Sequence, residues 1–216
     1  MKIDGSVALV TGANRGLGAA FARALLERGA KTVYAGARDP STVTDPRLVP
    51  VRLDVTDPAQ VAAAAELCGD TDLLVNNAGV LGPPEREMAT NYLGVLAMSR
   101  AFAPVLARNG GGALVNMLSV LSFLTFPQVA TYAASKAAAW SLTNALRMEL
   151  REQGTLVVGV HAGYIDTDMA ARVDAPKLAP AEVVAMALDG VEAGLTEVLA
   201  DELSRNAKAA LSQPPS

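Results

Sequence analysis

A chain of 216 residues, 51% of them hydrophobic, is long enough to bury one hydrophobic core without disulfides, and no metal site is expected. The formal net charge of -4 is spread along the sequence without a basic stripe, which excludes nucleic acid as an expected partner. The single cysteine, Cys68, cannot form an internal disulfide and lies in an Ala-rich stretch, so we expect it to pack inside a protein of a reducing, cytoplasmic compartment.

The N-terminal segment Met1–Gly5 leads directly into a strand-like pattern and lacks the regions of a signal peptide. No apolar run is long enough to span a bilayer, so no membrane partner is expected. We see neither an internal repeat nor a linker. One domain is therefore predicted over residues 1–212, followed by a loose C-terminal tail over residues 213–216.

Short apolar runs alternate with helical patterns along the chain. The runs are Val7–Val10, Thr32–Ala35, Val49–Leu53, Leu73–Val75, Ala113–Met117, Leu156–Val160 and Glu197–Ala200. Pro58 and Pro180 can begin helices over Ala59–Leu67 and Ala181–Leu188, and Gly29 and Gly154 can end the helices before them. Repeated βαβ units bury both faces of a parallel sheet. The predicted fold is therefore α/β, a single-domain doubly wound parallel sheet of the Rossmann type.

A glycine-rich loop follows the first predicted strand and leads into a helical pattern over Ala19–Arg28. It reads Thr11-Gly12-Ala13-Asn14-Arg15-Gly16-Leu17-Gly18. Glycines at such a turn let the backbone approach a pyrophosphate, and the helix N-terminus supplies free N–H donors. The spacing differs from the usual GxGxxG, and a tight turn that binds nothing is the alternative.

This loop resembles the TGxxxGxG cofactor loop of the short-chain dehydrogenase/reductase family. Asp54-Val55 stands where that family contacts adenine, and Asn76-Asn77-Ala78-Gly79 resembles its NNAG segment. The resemblance implies an oxidoreductase that binds a nicotinamide dinucleotide. It places the following residues at the cofactor: Gly12, Asn14, Arg15, Gly16, Leu17, Gly18, Asp54, Val55, Asn77, Ala78 and Gly79.

The end of the second strand decides which dinucleotide is bound, because an acidic residue there would hold the ribose 2′-OH of NAD. If the strand ends at Gly36, Ala37 occupies the acidic position and Arg38 faces the space of a 2′-phosphate. Arg15 is a second cation of the type seen in NADP-using members. NADP(H) is therefore favoured over NAD(H). The alternatives are that both arginines are solvated, or that a one-residue shift brings Asp39 to the ribose.

Tyr132 and Lys136 lie four residues apart in a helical pattern, which places them on one face. Ser119 precedes Tyr132 by thirteen residues, the separation of the catalytic Ser and Tyr in the resembled family, and ends the fifth predicted strand. A tyrosine of pKa about 10 is a poor proton donor or base near neutrality. An ammonium at roughly 4 Å would favour the phenolate by about 4 kcal/mol, so we expect Lys136 to lower the pKa of Tyr132.

The resemblance implies further roles. Lys136 would also hold the nicotinamide ribose, and Ser119 would bind the reacting oxygen. Asn91 resembles an Asn that anchors a water relay to the lysine, although the segment from Gly79 to Asn91 is about ten residues shorter than expected for the family. Ile165 and Thr167 resemble the stretch that holds the nicotinamide carboxamide.

Two further predictions concern His161 and the lining of the substrate pocket. His161 is interpreted as a strand-end packing residue rather than a base. An apolar substrate pocket is expected, although its residues can equally belong to the core. The candidates for its lining are Leu81, Leu121, Phe123, Phe126, Tyr164 and Met169.

The sequence thus predicts an NADP(H)-dependent enzyme of the carbonyl reductase or alcohol dehydrogenase type that acts on a small-molecule carbonyl or alcohol. The alternatives are a nucleotide-sensing or regulatory Rossmann protein without turnover, and cofactor-free chemistry such as epoxide opening. A homodimer or homotetramer is expected through the helix Tyr132–Gln153, because that helix carries more apolar surface than one sheet face needs. The residues in question are Ala137, Ala138, Trp140, Leu142, Ala145 and Leu146.

Overall fold

In the computed structural model, which describes residues 1–213, seven parallel strands form one sheet. The strands are β1 (Val7–Thr11), β2 (Thr32–Ala37), β3 (Val49–Arg52), β4 (Leu73–Asn76), β5 (Ala113–Met117), β6 (Leu156–His161) and β7 (Glu197–Leu199). Their spatial order is β3-β2-β1-β4-β5-β6-β7. The order reverses between β1 and β4, which confirms the predicted doubly wound Rossmann-type fold.

Helices connect successive strands. The α-helices are α1 (Gly16–Glu27), α2 (Pro58–Leu67), α3 (Pro84–Glu87), α4 (Val95–Arg108), α5 (Ala130–Glu149), α6 (Pro180–Glu192) and α7 (Glu202–Ala209). A π-helical segment over Met88–Gly94 joins α3 to α4. None of the helices within residues 1–213 is long and apolar enough to cross a membrane. The end of the predicted tail, residues 214–216, lies outside the described residues.

Helices cover both faces of the sheet, and this is why the strands are continuous apolar runs. On one face, Phe21 of α1 and Leu188 of α6 pack in the core. On the other, Val61 of α2, Phe102 of α4 and Leu146 of α5 pack in a second cluster. All five residues of β1 are buried between these layers.

Several strands end at other residues than predicted. The parallel ladders continue past the last apolar residue, so that β2 includes Gly36 and Ala37 and β6 includes His161. β1 and β4 likewise reach Thr11 and Asn76. β3 and β7 each end one residue earlier than expected.

The predicted helix Tyr132–Gln153 occupies Ala130–Glu149 instead. Gly154, with φ +77°, closes the turn that follows the helix rather than the helix itself, whereas Gly29, with φ +85°, directly follows the end of α1. α6 continues to Glu192, beyond the predicted end at Leu188. Within it, a Cβ on Gly190 would stand 2.5 Å from Cγ2 of Val198 in β7, so this position of the helix needs glycine.

Two residues assigned to an outer apolar surface of this helix are packed inside the protein instead. Leu146 is buried in the core below the helix. Trp140 packs edge-on against Phe123, with ring centroids 4.9 Å apart. The apolar surface of α5 that stays open to solvent is therefore smaller than the sequence pattern indicated.

Cys68 is buried at the end of α2, where desolvation raises the pKa of its thiol to about 12. A thiol with so high a pKa carries little thiolate near neutrality. The interpretation of Cys68 as a packing residue is confirmed.

Candidate active site

One cavity of about 920 Å3 opens at the carboxyl ends of the strands. Most predicted site residues, from the first βα loop to the segment after β6, meet along its wall. They are Gly12, Asn14, Arg15, Gly16, Leu17, Gly18, Arg38, Asp54, Val55, Asn77, Ala78, Gly79, Ser119, Tyr132, Lys136, Ile165 and Thr167. Asn91 does not line the cavity. These site residues, which come from seven separate segments of the sequence, thus belong to one space.

The glycine loop leaves bare backbone on the cavity wall. Gly12 and Gly16 have φ values of +67° and +53°, which favour glycine. A Cβ atom on Gly18 would stand 2.1 Å from the carbonyl oxygen of Gly12. Only glycine at these positions allows this close turn. The exposed backbone is what the close approach of a pyrophosphate requires.

Thr11 ties the glycine loop to the segment after β4. Its Oγ1 accepts hydrogen bonds from the backbone N–H groups of Asn77 and Ala78, at 3.0 and 2.9 Å. In return, Nδ2 of Asn77 donates to the carbonyl oxygen of Thr11 at 2.9 Å. These bonds hold two walls of the cavity in a fixed relation.

The end of β2 decides whether Ala37 or Asp39 stands where an acidic side chain would hold the ribose of NAD. The strand ends at Ala37 rather than Gly36, and Arg38 follows it on the cavity wall. Asp39 turns to Ser41, whose N–H and Oγ–H both donate to its Oδ1, at 3.0 and 2.7 Å. These bonds lower the pKa of Asp39 and bind its carboxylate locally. Arg38 has no ion-pair partner within residues 1–213, so its guanidinium is available to a phosphate.

Arg15 forms an exposed ion pair with Asp168, with 3.0 Å between Nη1 and Oδ2. This pair spans from the glycine loop to the segment after Thr167. Arg15 is therefore not simply solvated, and an anionic ligand would compete with Asp168 for it. Thr167 lies beside the loop, since a Cβ on Gly16 would stand 3.5 Å from Cγ2 of Thr167.

Ser119 lies two residues beyond the end of β5, not at its last residue. Its Oγ accepts a hydrogen bond from the N–H of Leu121 at 3.1 Å. The backbone N–H of Ser119 donates in turn to Oγ of Ser122 at 3.4 Å. Within residues 1–213 the Ser119 hydroxyl donates to no acceptor, so its hydrogen is available to a ligand oxygen.

Tyr132 and Lys136 lie on the first turns of α5, with the Lys136 Nζ 5.8 Å from the centre of the Tyr132 ring. Nζ donates to the carbonyl oxygen of Met117 at 2.9 Å. Burial, helped by the charge of Glu87, raises the pKa of Tyr132 to about 12. Burial also lowers the pKa of Lys136 to about 8.

The expectation that Lys136 lowers the pKa of Tyr132 is therefore wrong, because desolvation of the buried phenol raises this pKa. Within residues 1–213, Nζ of Lys136 donates to the carbonyl oxygen of Met117 and makes no hydrogen bond to the Tyr132 hydroxyl. Tyr132 consequently stays protonated across the neutral range.

Asn91 sits in the π-helical segment and reaches Val80, just past the NNAG segment. Its Oδ1 accepts from the N–H of Val80 at 2.8 Å, and its Nδ2 donates to the carbonyl oxygen of Val80 at 2.9 Å. Nδ2 also donates to Oγ of Ser135, which in turn donates to the carbonyl oxygen of Tyr132. Asn91 thus fastens the turn after β4 to α5 from behind the cavity.

Two neighbouring residues of α3 were missed in the sequence. Arg86 lines the cavity. Glu87 is only 1% exposed, and its Oε1 accepts from the N–H of Gly82 at 3.0 Å. Nothing in the charged run Pro-Glu-Arg-Glu-Met distinguishes the buried carboxylate from its exposed neighbours, since helical spacing alone does not reveal this one-turn helix.

His161 is buried beside Ser119, as expected for a packing residue. Its ring stacks on Phe123 with centroids 4.2 Å apart. Phe123 consequently faces this cluster and does not line the cavity, so its assignment to the substrate pocket is wrong. The other five candidates do line it: Leu81, Leu121, Phe126, Tyr164 and Met169.

The chain matches the sequence model of the short chain dehydrogenases over residues 6–178. The crystal structure of a short chain dehydrogenase from Burkholderia cenocepacia in complex with NADP is similar, with a TM-score of 0.94 and 43% identity. This similarity covers 99% of the present chain and 95% of that one.

Two curated relatives give the same result at lower identity. The 3-oxoacyl-acyl-carrier-protein reductase FabG of Vibrio cholerae is 34% identical over 188 residues, which are 78% of this chain and 77% of that protein. The short chain dehydrogenase pigC of Monascus ruber is 32% identical over 196 residues, and the match covers 77% of this chain but 65% of pigC. The chain belongs to the short-chain dehydrogenase/reductase family, which confirms the resemblance drawn from its motifs.

Proposed function

We propose that the protein transfers hydride between NADP(H) and the carbonyl/alcohol pair of a small molecule. The observation that carries this proposal is the shared cavity. Ser119, Tyr132 and Lys136 line the same space as the glycine loop. A nucleotide-sensing protein without turnover would have little need for these three side chains together.

Two observations support NADP(H) over NAD(H). The guanidinium of Arg38 has no ion-pair partner within residues 1–213, and the carboxylate of Asp39 is hydrogen-bonded to Ser41. The similar Burkholderia cenocepacia protein was crystallised with NADP. The glycine loop, Asp54 and the segment Asn77–Gly79 would hold the dinucleotide, and Arg38 its 2′-phosphate. Ile165 and Thr167 would hold the carboxamide. When bound, the cofactor supplies the hydride that is transferred.

The residues of the chain supply orientation and the proton. Ser119 donates a hydrogen bond to the substrate oxygen, and Tyr132 gives that oxygen a proton as the charge on it develops. Lys136 holds the nicotinamide ribose and keeps the region around Tyr132 positive. Asn91 acts from behind the cavity, where it keeps Val80 and α5 in place. The water relay assigned to Asn91 stays a prediction.

The proposed activity includes that of a carbonyl reductase, in which Tyr132 acts as the acid. Burial raises the pKa of Tyr132 to about 12, so the phenol is protonated at neutral pH and can donate its proton. Alcohol oxidation would use the same groups in reverse, with Tyr132 accepting the proton.

The experiment compares ligand binding with turnover. NADPH should raise the melting temperature far more than NADH at equal concentration, because ligand binding stabilises by RT ln(1 + [L]/Kd). NADPH consumption should then follow the addition of aryl or alkyl ketones. An NADPH shift without turnover of any ketone would favour the sensing alternative. If neither NADPH nor NADH raised the melting temperature, the proposal of a dinucleotide site would be overturned.

We further propose a homodimer or homotetramer formed through α4 and α5, in a cytoplasmic setting. Leu93 and Met148 are large apolar side chains exposed by 52% and 74% on this side of the fold. Burying them between two copies would remove apolar surface from water. A monomeric mass by light scattering at micromolar concentration would overturn the proposed assembly.

A further inference from the structure

The substrate end of the cavity carries large apolar side chains that are unusually open to solvent. Each is between 44% and 50% exposed, and each lines the cavity that contains Ser119 and Tyr132. The side chains are Leu81, Phe126, Tyr164, Met169 and Leu203. An apolar patch at the mouth of a cavity gains free energy when a ligand covers it. This end of the cavity therefore fits an apolar group.

Arg86 places a cation in the same wall. It lies on α3 with an exposed side chain. Within residues 1–213 no carboxylate lies within ion-pair distance of its guanidinium. Of its acidic neighbours, Glu85 faces solvent and Glu87 turns inward to the N–H of Gly82.

The carboxylates of the cavity wall are engaged elsewhere. Asp39, Asp54 and Asp168 each have a partner within their own part of the wall. Those partners are Ser41, Thr56 and Arg15, respectively. These carboxylates keep their charge, but their bonds hold them in their own parts of the wall. Among the described residues the exposed guanidinium of Arg86 therefore has no ion-pair partner, since Glu87 turns inward to Gly82. An unpaired cation of this kind attracts an anionic ligand.

Helix α3 holds Arg86 close to the reacting groups. The short connection from Gly79 to Asn91 brings this one-turn helix against α5, which begins with the turn that carries Tyr132. Glu87, the next residue, is near enough for its charge to act on Tyr132. The buried bond from Glu87 to Gly82 fixes the orientation of the turn, and with it the direction in which Arg86 leaves the helix.

On the basis of the proposed carbonyl reduction, we infer that the preferred substrate is an apolar carbonyl compound with one anionic group, such as a carboxylate, and that Arg86 binds this group. The carbonyl carbon accepts the hydride of NADPH and the carbonyl oxygen accepts the proton of Tyr132, so the ketone is reduced and NADPH is oxidised. The anionic group takes no part in these bond changes. Its contact with Arg86 orients the carbonyl toward Ser119.

The test compares acids with their neutral esters. The probes are phenylglyoxylate, benzoylacetate and 3-benzoylpropionate, which separate carbonyl and carboxylate by different lengths, each with its methyl ester. For at least one pair, kcat/KM for the acid should exceed that for the ester by about tenfold or more, as a charge-assisted contact implies. Arg86→Gln should bring kcat/KM for the acid close to that for its ester. Arg86→Lys should keep part of the preference.

The matched control is Arg108→Gln, which removes an exposed arginine of α4 away from the cavity. It should keep the parent ratio of acid to ester. Equal kcat/KM values for acids and esters in the parent, or an unchanged ratio in Arg86→Gln, would overturn the role of Arg86.

Calorimetric binding of the same probes to the protein with NADP+ separates this inference from the proposed function. Arg86-dependent binding of an acid that is never reduced would support the anion subsite and contradict carbonyl reduction. Reduction of esters as fast as acids would support the reaction and contradict the subsite. Neither binding nor reduction of any probe would contradict both.

Discussion

His161 donates its Nδ1–H to the backbone carbonyl oxygen of Ser119, at 3.1 Å. A carbonyl oxygen can only accept, so Nδ1 carries the hydrogen of the neutral ring. Nε2 is buried without a hydrogen-bond partner in residues 1–213, 3.7 Å from the carboxylate of Glu197. Burial lowers the pKa of His161 to about 4, so the ring is neutral near pH 7. The only histidine of the chain thus supports the backbone of Ser119 from inside the fold.

The depressed pKa of His161 predicts a specific loss of stability in acid. Its contribution is fully present above the unfolded value of 6.5 and is lost as pH falls through about 4. This contribution is on the order of 3 kcal/mol. His161→Asn keeps a donor for Ser119 but cannot titrate, so its free energy of unfolding should fall less between pH 7 and pH 4. Denaturant unfolding across this range measures the difference, and an NMR-derived pKa near 6.5 for His161 would contradict it.

Most of the fold, and most residues on the cofactor side of the cavity, could be predicted from the sequence. The strand ends at Ala37 and His161 were missed because a parallel ladder continues through residues that are not apolar, Gly36 in β2 and His161 in β6. Tyr132 and Lys136 were recognised because their spacing in a helix is local and strict. Contacts between distant segments, such as Thr11 with Asn77, were not readable, although both segments were recognised.

What the sequence could not reveal depends on burial. The same helical pattern placed Leu146 on an outer surface, whereas the packing of α5 turns it into the core. Burial also raises the pKa of Tyr132, whereas the spacing of Tyr132 and Lys136 in the sequence led us to expect that it is lowered. Glu87 is a third case, since a carboxylate in a charged run gives no sign of being 1% exposed.

Arg38→Asp should weaken NADPH binding far more than NADH binding. The change removes a charge-assisted contact worth about 1.5–3 kcal/mol, less any screening by solvent, and adds repulsion toward the 2′-phosphate. Dissociation constants for both cofactors measure the effect. Arg108→Asp is the control, because Arg108 is exposed on α4 and does not line the cavity. A ratio of the two constants that Arg38→Asp leaves unchanged would mean that Arg38 does not contact the phosphate.

Glu87→Gln should lower the pKa of Tyr132, because it removes a negative charge that disfavours the phenolate. The alkaline limb of the pH profile of ketone reduction should therefore move to lower pH, since Tyr132 loses its proton sooner. Glutamine keeps an oxygen for the N–H of Gly82, which protects the fold. Glu85→Gln, an exposed change on the same helix, should leave the profile in place. Coinciding limbs for parent and Glu87→Gln would show that Glu87 has no influence on the proton donor.

Tyr132→Phe should nearly abolish turnover while the affinity for NADPH stays within a few-fold, since the ring still packs and only the hydroxyl is lost. General acid–base catalysis contributes typically 10²–10⁴-fold, so kcat should fall by at least about a hundredfold, or about 2.7 kcal/mol of barrier. Lys136→Ala should reduce both kcat and cofactor affinity, because this side chain is proposed to hold the ribose as well. Single-turnover reduction and NADPH titration separate the two effects. Reduction by folded, NADPH-bound Tyr132→Phe at close to the parent rate would mean that another group donates the proton.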